Sequence, residues 1–507
     1  MTVETESEQP ACLSNSYARL PEHFFARLGP TPVAKPRLIK LNDALATELG
    51  LDLGGLDHET LAALFAGNVL PPGAEPIAMA YAGHQFGHFV TQLGDGRAIL
   101  LGEVRDRTGM RRDLQLKGSG RTPYSRNGDG RAALGPVLRE YLVSEAMYAL
   151  GIPTTRALAV VMSGERVYRD EPLPGAILTR VAASHIRVGT FQYFAARGDV
   201  AATRRLADYV IERHYADIRH SERPYLALLQ AFAERQAALI AGWMRVGFIH
   251  GVMNTDNMAL SGETIDFGPC AFMDAYDPDT VFSSIDESGR YAYANQPHAA
   301  QWNLARFAEA LLPIIDPSSE RAIELANPII ADFSTRFAQH WLAGMRSKLG
   351  LLSPEDGDRE LIQSLLDAMH RNQADFTLTF RHLCAAADVD ATHVDAEAAE
   401  TESKLGSLFT NPGACDAWVT KWKCRLAREP REPGVRAAAM RRVNPAFIPR
   451  NHRIEQAIDA AVEREDFSLF AELLTVLSRP YEEQQALSAY ARPPLPAERV
   501  LQTFCGT

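Results

Sequence analysis

The stretch His250-Gly251-Val252-Met253-Asn254-Thr255-Asp256-Asn257, followed nine positions later by Asp266-Phe267-Gly268, decides the reading of this chain. It places an amide oxygen (Asn257) and a carboxylate (Asp266) in one turn-rich region, and both are donors that a hard divalent cation accepts. A further carboxylate, Asp256, adjoins Asn257.

The offsets match the phosphoryl-transfer pattern H-R-D-x-x-x-x-N followed by D-F-G, in which the asparagine and the second aspartate hold metal. On that pattern Asn257 and Asp266 are the metal candidates. The third position, where the pattern has a proton-accepting aspartate, is Val252. A side chain without oxygen is no general base, so the site is either inactive or performs a different transfer with another base. Asp256 is the only local candidate for that role.

Upstream, three apolar-rich runs, Phe89 to Leu93, Ala98 to Val104 and Leu114 to Lys117, are separated by Gly94-Asp95-Gly96 and Arg107-Thr108-Gly109. They predict a three-stranded antiparallel meander. Residues 131–150 then show helical periodicity, with Gly151 as a stop and Pro153 beyond. Two more strands are expected at Ala157 to Met162 and Ala176 to Val181, flanking turns at Ser163-Gly164 and Pro172 to Gly175. Lys117, at the end of a strand, takes the place of a phosphate-binding lysine, and Glu140 on the following helix is its expected ion-pair partner, with Glu145 competing. Gly94, Gly96 and Arg97 form a turn where backbone amides approach a phosphate. A basic set (Arg121, Arg126, Arg131, Arg180, Arg187), with Asp129-Gly130 in a tight turn, asks for an anion, because the guanidinium fork matches phosphate oxygens.

The whole chain sets bounds on these readings. At 507 residues, with 46% hydrophobic and 23% charged residues, it has the balance of an ordinary globular protein of two to four packed units. A net charge of -11 and a pI near 5.7 argue against nucleic acid or anionic lipid as a partner. There is no apolar run long enough to span a membrane, and the acidic start does not resemble a secretory or transit signal, so the cytoplasm is expected. The six cysteines, including Cys270 and Cys505, show no zinc-like spacing. From Val200 onward the pattern turns helical, interrupted by an acidic, alanine-rich stretch from Ala385 to Ser403 that is expected to be a surface excursion or linker. The predicted class is α+β, a protein-kinase-like two-lobed fold with extensions. Its units are an N-terminal extension (1–76), an N-lobe (77–190), a helical C-lobe (191–352) and a C-terminal helical extension (353–507).

Longer strings then carry a resemblance. Tyr81-Ala82-Gly83-His84-Gln85-Phe86-Gly87, Leu116-Lys117-Gly118-Ser119-Gly120-Arg121-Thr122-Pro123-Tyr124-Ser125-Arg126, the His250 to Gly268 segment and Asn444-Pro445-Ala446-Phe447-Ile448-Pro449-Arg450-Asn451-His452 resemble the selenoprotein O family over nearly the whole chain. Its members are protein adenylyltransferases with a pseudokinase fold, and this chain looks like a cysteine-containing form. The resemblance implies ATP bound in inverted orientation and AMP transferred to Ser, Thr or Tyr hydroxyls of protein substrates. It implies nucleotide contacts from Gly94, Gly96, Arg97, Lys117, Asp129, Gly130, Arg180 and Arg187. It further implies magnesium or manganese on Asn257 and Asp266, Asp256 as proton acceptor, and a regulatory disulfide between Cys270 and Cys505. A monomer is the working expectation. UMP transfer from UTP with manganese and a nucleotide-binding pseudokinase without transfer are the alternatives; Val252 weighs against an ordinary kinase.

Overall fold

The computed structural model describes residues 12–388 and 403–504. The linker expected over Ala385 to Ser403 falls mainly outside the described residues, as does Cys505.

An antiparallel sheet organises the first half. Its strand order is Phe25–Arg27 (β1), Ile77–Met79 (β3), Ala98–Arg105 (β6), Arg111–Lys117 (β7), Pro172–Ala182 (β10), Arg156–Tyr168 (β9) and Arg37–Leu41 (β2), with Ala132–Ala133 (β8) pairing β10 to one side. The two edge strands thus come from residues ahead of Ile77. Successive side chains of a strand point to opposite faces, and both faces here are covered. Ile99, Leu101, Leu158, Val161 and Ile177 pack with Leu45 of helix Asp43–Glu48 (α1) and with Leu61 and Phe65 of helix His58–Ala66 (α2). Leu100, Val160 and Leu178 pack on the other side against Leu138 and Leu142 of helix Leu134–Ala149 (α3). Burial on both faces is why the run Ala157 to Met162 reads as continuously apolar rather than alternating.

Two expectations are corrected. The run starting at Phe89 does not join the meander: His88–Val90 (β5) pairs back on Gly83–Gln85 (β4) as a separate hairpin, and the outer neighbour of β6 is β3. The turn residues Phe86 and Gly87 both have positive φ, 50° and 88°, the geometry of a two-residue primed turn. Phe-Gly does not advertise that turn as Asn-Gly would. Likewise Ser163-Gly164 and Pro172 to Gly175 lie inside the paired strands, with a bulge between Pro174 and Ala176. The prolines are tolerated because Pro172 and Pro174 lie beyond the reach of β7, which pairs only from Leu178 onward.

Helices Val188–Ala195 (α4), Val200–His214 (α5), Pro224–Val246 (α6), Gln296–Ile315 (α7) and Ser319–Lys348 (α8) pack against one another. Helix α6 starts with Pro224 at its first turn and stops at Gly247, whose φ of 75° places it in the left-handed region. Helices Asp358–Asn372 (α9) and Phe376–Ala386 (α10) share a second core with Pro412–Leu426, centred on Trp422. Helices Asn451–Arg464 and Ser468–Leu477 return to pack on α3. Among the described residues no helix is long and apolar enough to cross a membrane.

Candidate active site

Lys117 ends β7, in register with Ala98 of β6 and Leu178 of β10. Its Nζ donates to Glu140 Oε2 at 2.5 Å and to Asp266 Oδ1 at 2.8 Å. Glu140 sits in the middle of α3 on the face turned to the sheet, and its Oε1 accepts from Arg180 Nε at 2.8 Å and Nη2 at 2.5 Å. The competing Glu145 is engaged elsewhere, on Arg156 and the Ala157 amide. Lys117, Glu140, Arg180 and Asp266 therefore form one cluster of two cations and two anions. Burial raises the pKa of a carboxylate, yet Lys117 and Arg180 outweigh burial at Asp266 and hold it well below the usual carboxylate range, with Arg97 contributing. Glu140 is lowered for the same reason, burial being outweighed by Arg180 and Lys117. Both acids stay ionised at neutral pH.

Asp266 has φ of 69°, the left-handed conformation that aspartate tolerates better than most side chains. It is held there because Phe267 is fully buried against Phe248, two residues beyond the end of α6, ring centroids 6.2 Å apart. The turn aims the Asp266 carboxylate at Lys117 while its neighbour anchors in the core.

The loop at 250–257 is built from its own hydrogen bonds. His250 Nε2 lies 3.0 Å from the Ile265 carbonyl, and the Val252 amide donates to His250 Nδ1. Val252 is a buried apolar residue, and its carbonyl accepts from Asn257 Nδ2 at 3.1 Å. That bond commits the amide nitrogen of Asn257 and leaves Oδ1 as its remaining donor atom toward a cation. Thr255 to Asn257 form a single 3-10 turn that presents Asp256. Asp256 is buried, its Oδ1 has no hydrogen-bond partner, and burial pushes its pKa up to about 6 against the opposing pull of Arg187. Arg187, at the start of α4, donates to the Asp256 carbonyl at 3.3 Å and stands 3.9 Å from Asp95.

The remaining expected residues are placed differently. Gly94, with φ of 78°, packs so closely on Tyr124 that a Cβ would come within 2.3 Å of the ring. Asp95, between the two glycines, is buried and accepts from the Met79 amide at 3.0 Å, so the turn is pinned from inside. Asp129 lies on the surface, bonded to Arg169 Nη1 at 2.9 Å and the Arg131 amide at 2.9 Å. Arg121 and Arg131 bond to carbonyls of Gly128 and Thr31. Among the described residues no hydrogen bond or ion pair ties Asp129, Arg121 or Arg131 to the Lys117 cluster. Cys270 is fully buried, and burial pushes its thiol up to about 12.

Sequence reasoning missed the clamp on the loop. The β4–β5 hairpin lies over it: the His84 amide donates to Thr255 Oγ1 at 2.7 Å and the Phe86 amide to Asn254 Oδ1 at 2.9 Å. Gln192 of α4 joins Thr255 at 2.6 Å and His84 Nδ1 at 2.8 Å, and Tyr291 donates to Asn254 Oδ1 at 2.8 Å. The only signal was the string from Tyr81 to Gly87, to which no role could be assigned without its partners.

Comparison with known proteins identifies the family. The family model described as protein adenylyltransferase SelO matches residues 11–478. The chain is 66% identical over 498 residues to the protein nucleotidyltransferase YdiU of Rhizobium rhizogenes, covering 98% of this chain and 97% of the relative. It is 66% identical over 493 residues to that of Rhizobium meliloti, covering 97% and 99%, and 63% identical over 510 residues to that of Rhizobium johnstonii, covering 100% of both. The chain belongs to the protein adenylyltransferase SelO family, whose members are protein nucleotidyltransferase enzymes.

Proposed function

We propose that the chain transfers AMP from ATP to Ser, Thr or Tyr hydroxyls of protein substrates and releases pyrophosphate. The observation that carries this reading is the position of Asp256, a buried carboxylate with one unpartnered oxygen, on the same turn as Asn257 and beside the Lys117–Asp266 cluster. Val252 leaves the usual place of a kinase base apolar, so the proton acceptor is displaced by four positions. On this reading Lys117, Arg180, Arg187, Arg97 and the Gly94–Gly96 turn hold the nucleotide, with Asp129 and Gly130 at its outer edge. The acceptor oxygen attacks the α-phosphorus in line, its proton passes to Asp256, and the bond to pyrophosphate breaks.

An amide oxygen from Asn257 and an ionised carboxylate from Asp266 fit magnesium or manganese, which take oxygen donors and complete their shell with water and phosphate. Such an ion would neutralise charge on the phosphates. We assign the fold as a two-lobed kinase-like one. The sheet with α3 forms the N-lobe (77–190), joined by edge strands from the extension 1–76. The helices of 191–352 form the C-lobe, and 353–507 form the C-terminal extension.

ATP labelled separately at the α and γ positions tests the assignment. Label from the α position on protein, lost in Asp266→Ala, supports it. Label from the γ position makes the chain a kinase, and equal transfer from α-labelled UTP with manganese favours the uridylyl alternative.

A further inference from the structure

Beside the hairpin that clamps the catalytic loop lies a surface with its own chemistry. Trp302 of α7 is partly exposed, and two guanidinium groups stand against it, Arg290 at 4.7 Å and Arg306 at 4.9 Å from the ring centroid. The His84 ring meets Trp302 edge-on at 5.1 Å and lies tilted against Phe89 at 4.8 Å, and Phe89 is 39% exposed. Arg306 shares its charge with Glu309 at 2.6 Å. Arg290 has no carboxylate within ion-pair distance among the described residues. Its Nε has no hydrogen-bond partner either.

The position of Arg290 is fixed rather than accidental. Asp286 accepts from the backbone amides of Arg290 and Tyr291, at 2.9 Å and 2.8 Å, and the Tyr291 hydroxyl is bonded to Asn254 of the catalytic loop. From the other side Gly87, at the hairpin tip, comes so close that a Cβ there would lie 3.6 Å from the Arg290 guanidinium. The same hairpin begins at Gly83, where a Cβ would lie 2.8 Å from Asp256 Oδ1. One chain of contacts therefore connects the candidate proton acceptor to a guanidinium that has no carboxylate partner among the described residues and stands over an aromatic ring. In a chain of net charge -11, a cation without a carboxylate partner among the described residues, held by the loop that carries Asn254, calls for an anionic group from outside the chain.

We propose that Trp302, Arg290 and Arg306, with Phe89 at the rim, form the docking subsite for the protein acceptor. The subsite takes a segment bearing Asp or Glu near the hydroxyl to be modified, the carboxylate seated on Arg290 and the flanking side chain on the aromatic rings. This deepens the reading of the chain as a protein nucleotidyltransferase and rests on it. Bidentate pairing of guanidinium and carboxylate supplies orientation as well as attraction, which is what a hydroxyl needs to reach the proton acceptor in line.

The test uses the full chain and two labelled peptides of one sequence, a serine flanked by glutamates and a serine flanked by glutamines. Binding is read by fluorescence anisotropy, and transfer by α-labelled ATP. The wild type should bind and label the glutamate peptide with a preference on the order of tenfold. Arg290→Glu should abolish or reverse that preference, and Arg290→Gln should fall between. The affinity for ATP, measured on the same samples, shows that each variant is folded. Equal binding of the two peptides by the wild type, or an unchanged preference in Arg290→Glu, overturns the proposal. So does equal competition by a short polyphosphate or an RNA oligonucleotide, which would make the face a general anion site. A glutamate preference in binding with no label transferred leaves the docking face standing and removes the transferase reading; transfer without preference removes the docking face alone.

Discussion

Lys117 and Asp266, 149 positions apart in the chain, meet as an ion pair with Nζ 2.8 Å from Oδ1. The pair is completed by Glu140, which Lys117 shares with Arg180. A lysine so placed is fixed before any phosphate arrives.

Because Glu140 neutralises one buried and one partly buried cation, its loss should cost more than the loss of either cation. Glu140→Gln is expected to destabilise the fold by about 3–5 kcal/mol, since Arg180 is left without its carboxylate. Lys117→Met should cost less, because Glu140 keeps Arg180, yet should lower transfer by at least about a hundredfold. Urea melts beside α-label assays separate the two effects. A Lys117→Met protein less stable than Glu140→Gln would contradict this account of the cluster.

The raised pKa of Asp256, about 6, sets a pH dependence of definite sign. As the proton acceptor it must be ionised, so kcat/KM should fall about tenfold per unit below pH 6 and level off above it. The folded chain holds this proton more tightly than the unfolded chain, so Asp256 costs stability as pH rises through its folded value. Asp256→Asn should therefore lose activity and gain about 1–3 kcal/mol of stability at pH 7. An acid limb unchanged in Asp256→Asn would assign the titration to another group.

Gly83→Ala probes the contact between hairpin and loop without removing a charged group. The added Cβ would lie 2.8 Å from Asp256 Oδ1 and 3.1 Å from Leu93 Cδ1, so the loop must shift. The expected result is a fall in kcat of about ten- to a hundredfold with the affinity for ATP retained. A drop in nucleotide affinity alone would place the effect elsewhere.

The thiol of Cys270 is buried and pushed up to about 12, whereas Cys12 and Cys424 are exposed. Alkylation of the reduced protein should label Cys12 and Cys424 well before Cys270. Thr503 Oγ1 donates to the Pro269 carbonyl at 2.6 Å, one residue before Cys270, and the disulfide that the resemblance implies would join Cys270 to Cys505. Peptide mapping after mild oxidation should find that crosslink together with a loss of transfer reversed by thiol. Unchanged activity and no crosslink would dismiss it.

Lys348 at the end of α8 is 1% exposed. Its Nζ lies 4.2 Å from the ring centroid of Phe380 and 5.3 Å from that of Phe376. Burial, and then Arg245, push its pKa down to about 7. Between that value and the ordinary lysine range the unfolded chain binds the proton more tightly, so stability should rise with pH above 7. Lys348→Met should flatten that rise and stabilise the fold at pH 7 by about 1–3 kcal/mol. Destabilisation would mean that the cation–ring contacts exceed the cost of burial.

The elements visible in the sequence were those specified locally. Lys117 ends an apolar strand and Glu140 sits on a periodic helix that follows it, so both the elements and the pair could be read directly. The Asn257 and Asp266 spacing was equally plain. Partners set by tertiary packing were not visible: the β4–β5 hairpin turns on Phe86-Gly87, a pair with no strong turn signature, and nothing local pairs Asp129 with Arg169, 40 positions away. Nor did the isolated Trp302 or Arg290 announce that packing would set them together.

Arg139, next to Glu140 on α3, donates to the carbonyl of Cys270 and to Glu455, 316 positions further along the chain. Helices Asn451–Arg464 and Ser468–Leu477 brace the same face of α3. A chain growing on the ribosome therefore exposes its lysine, its carboxylates and its loop long before the support for α3 has been made. Long-range contacts of this kind form late and only once both ends are available. Synthesis itself therefore supplies the brace for α3 only after the lysine, the carboxylates and the loop of the candidate centre have all been made.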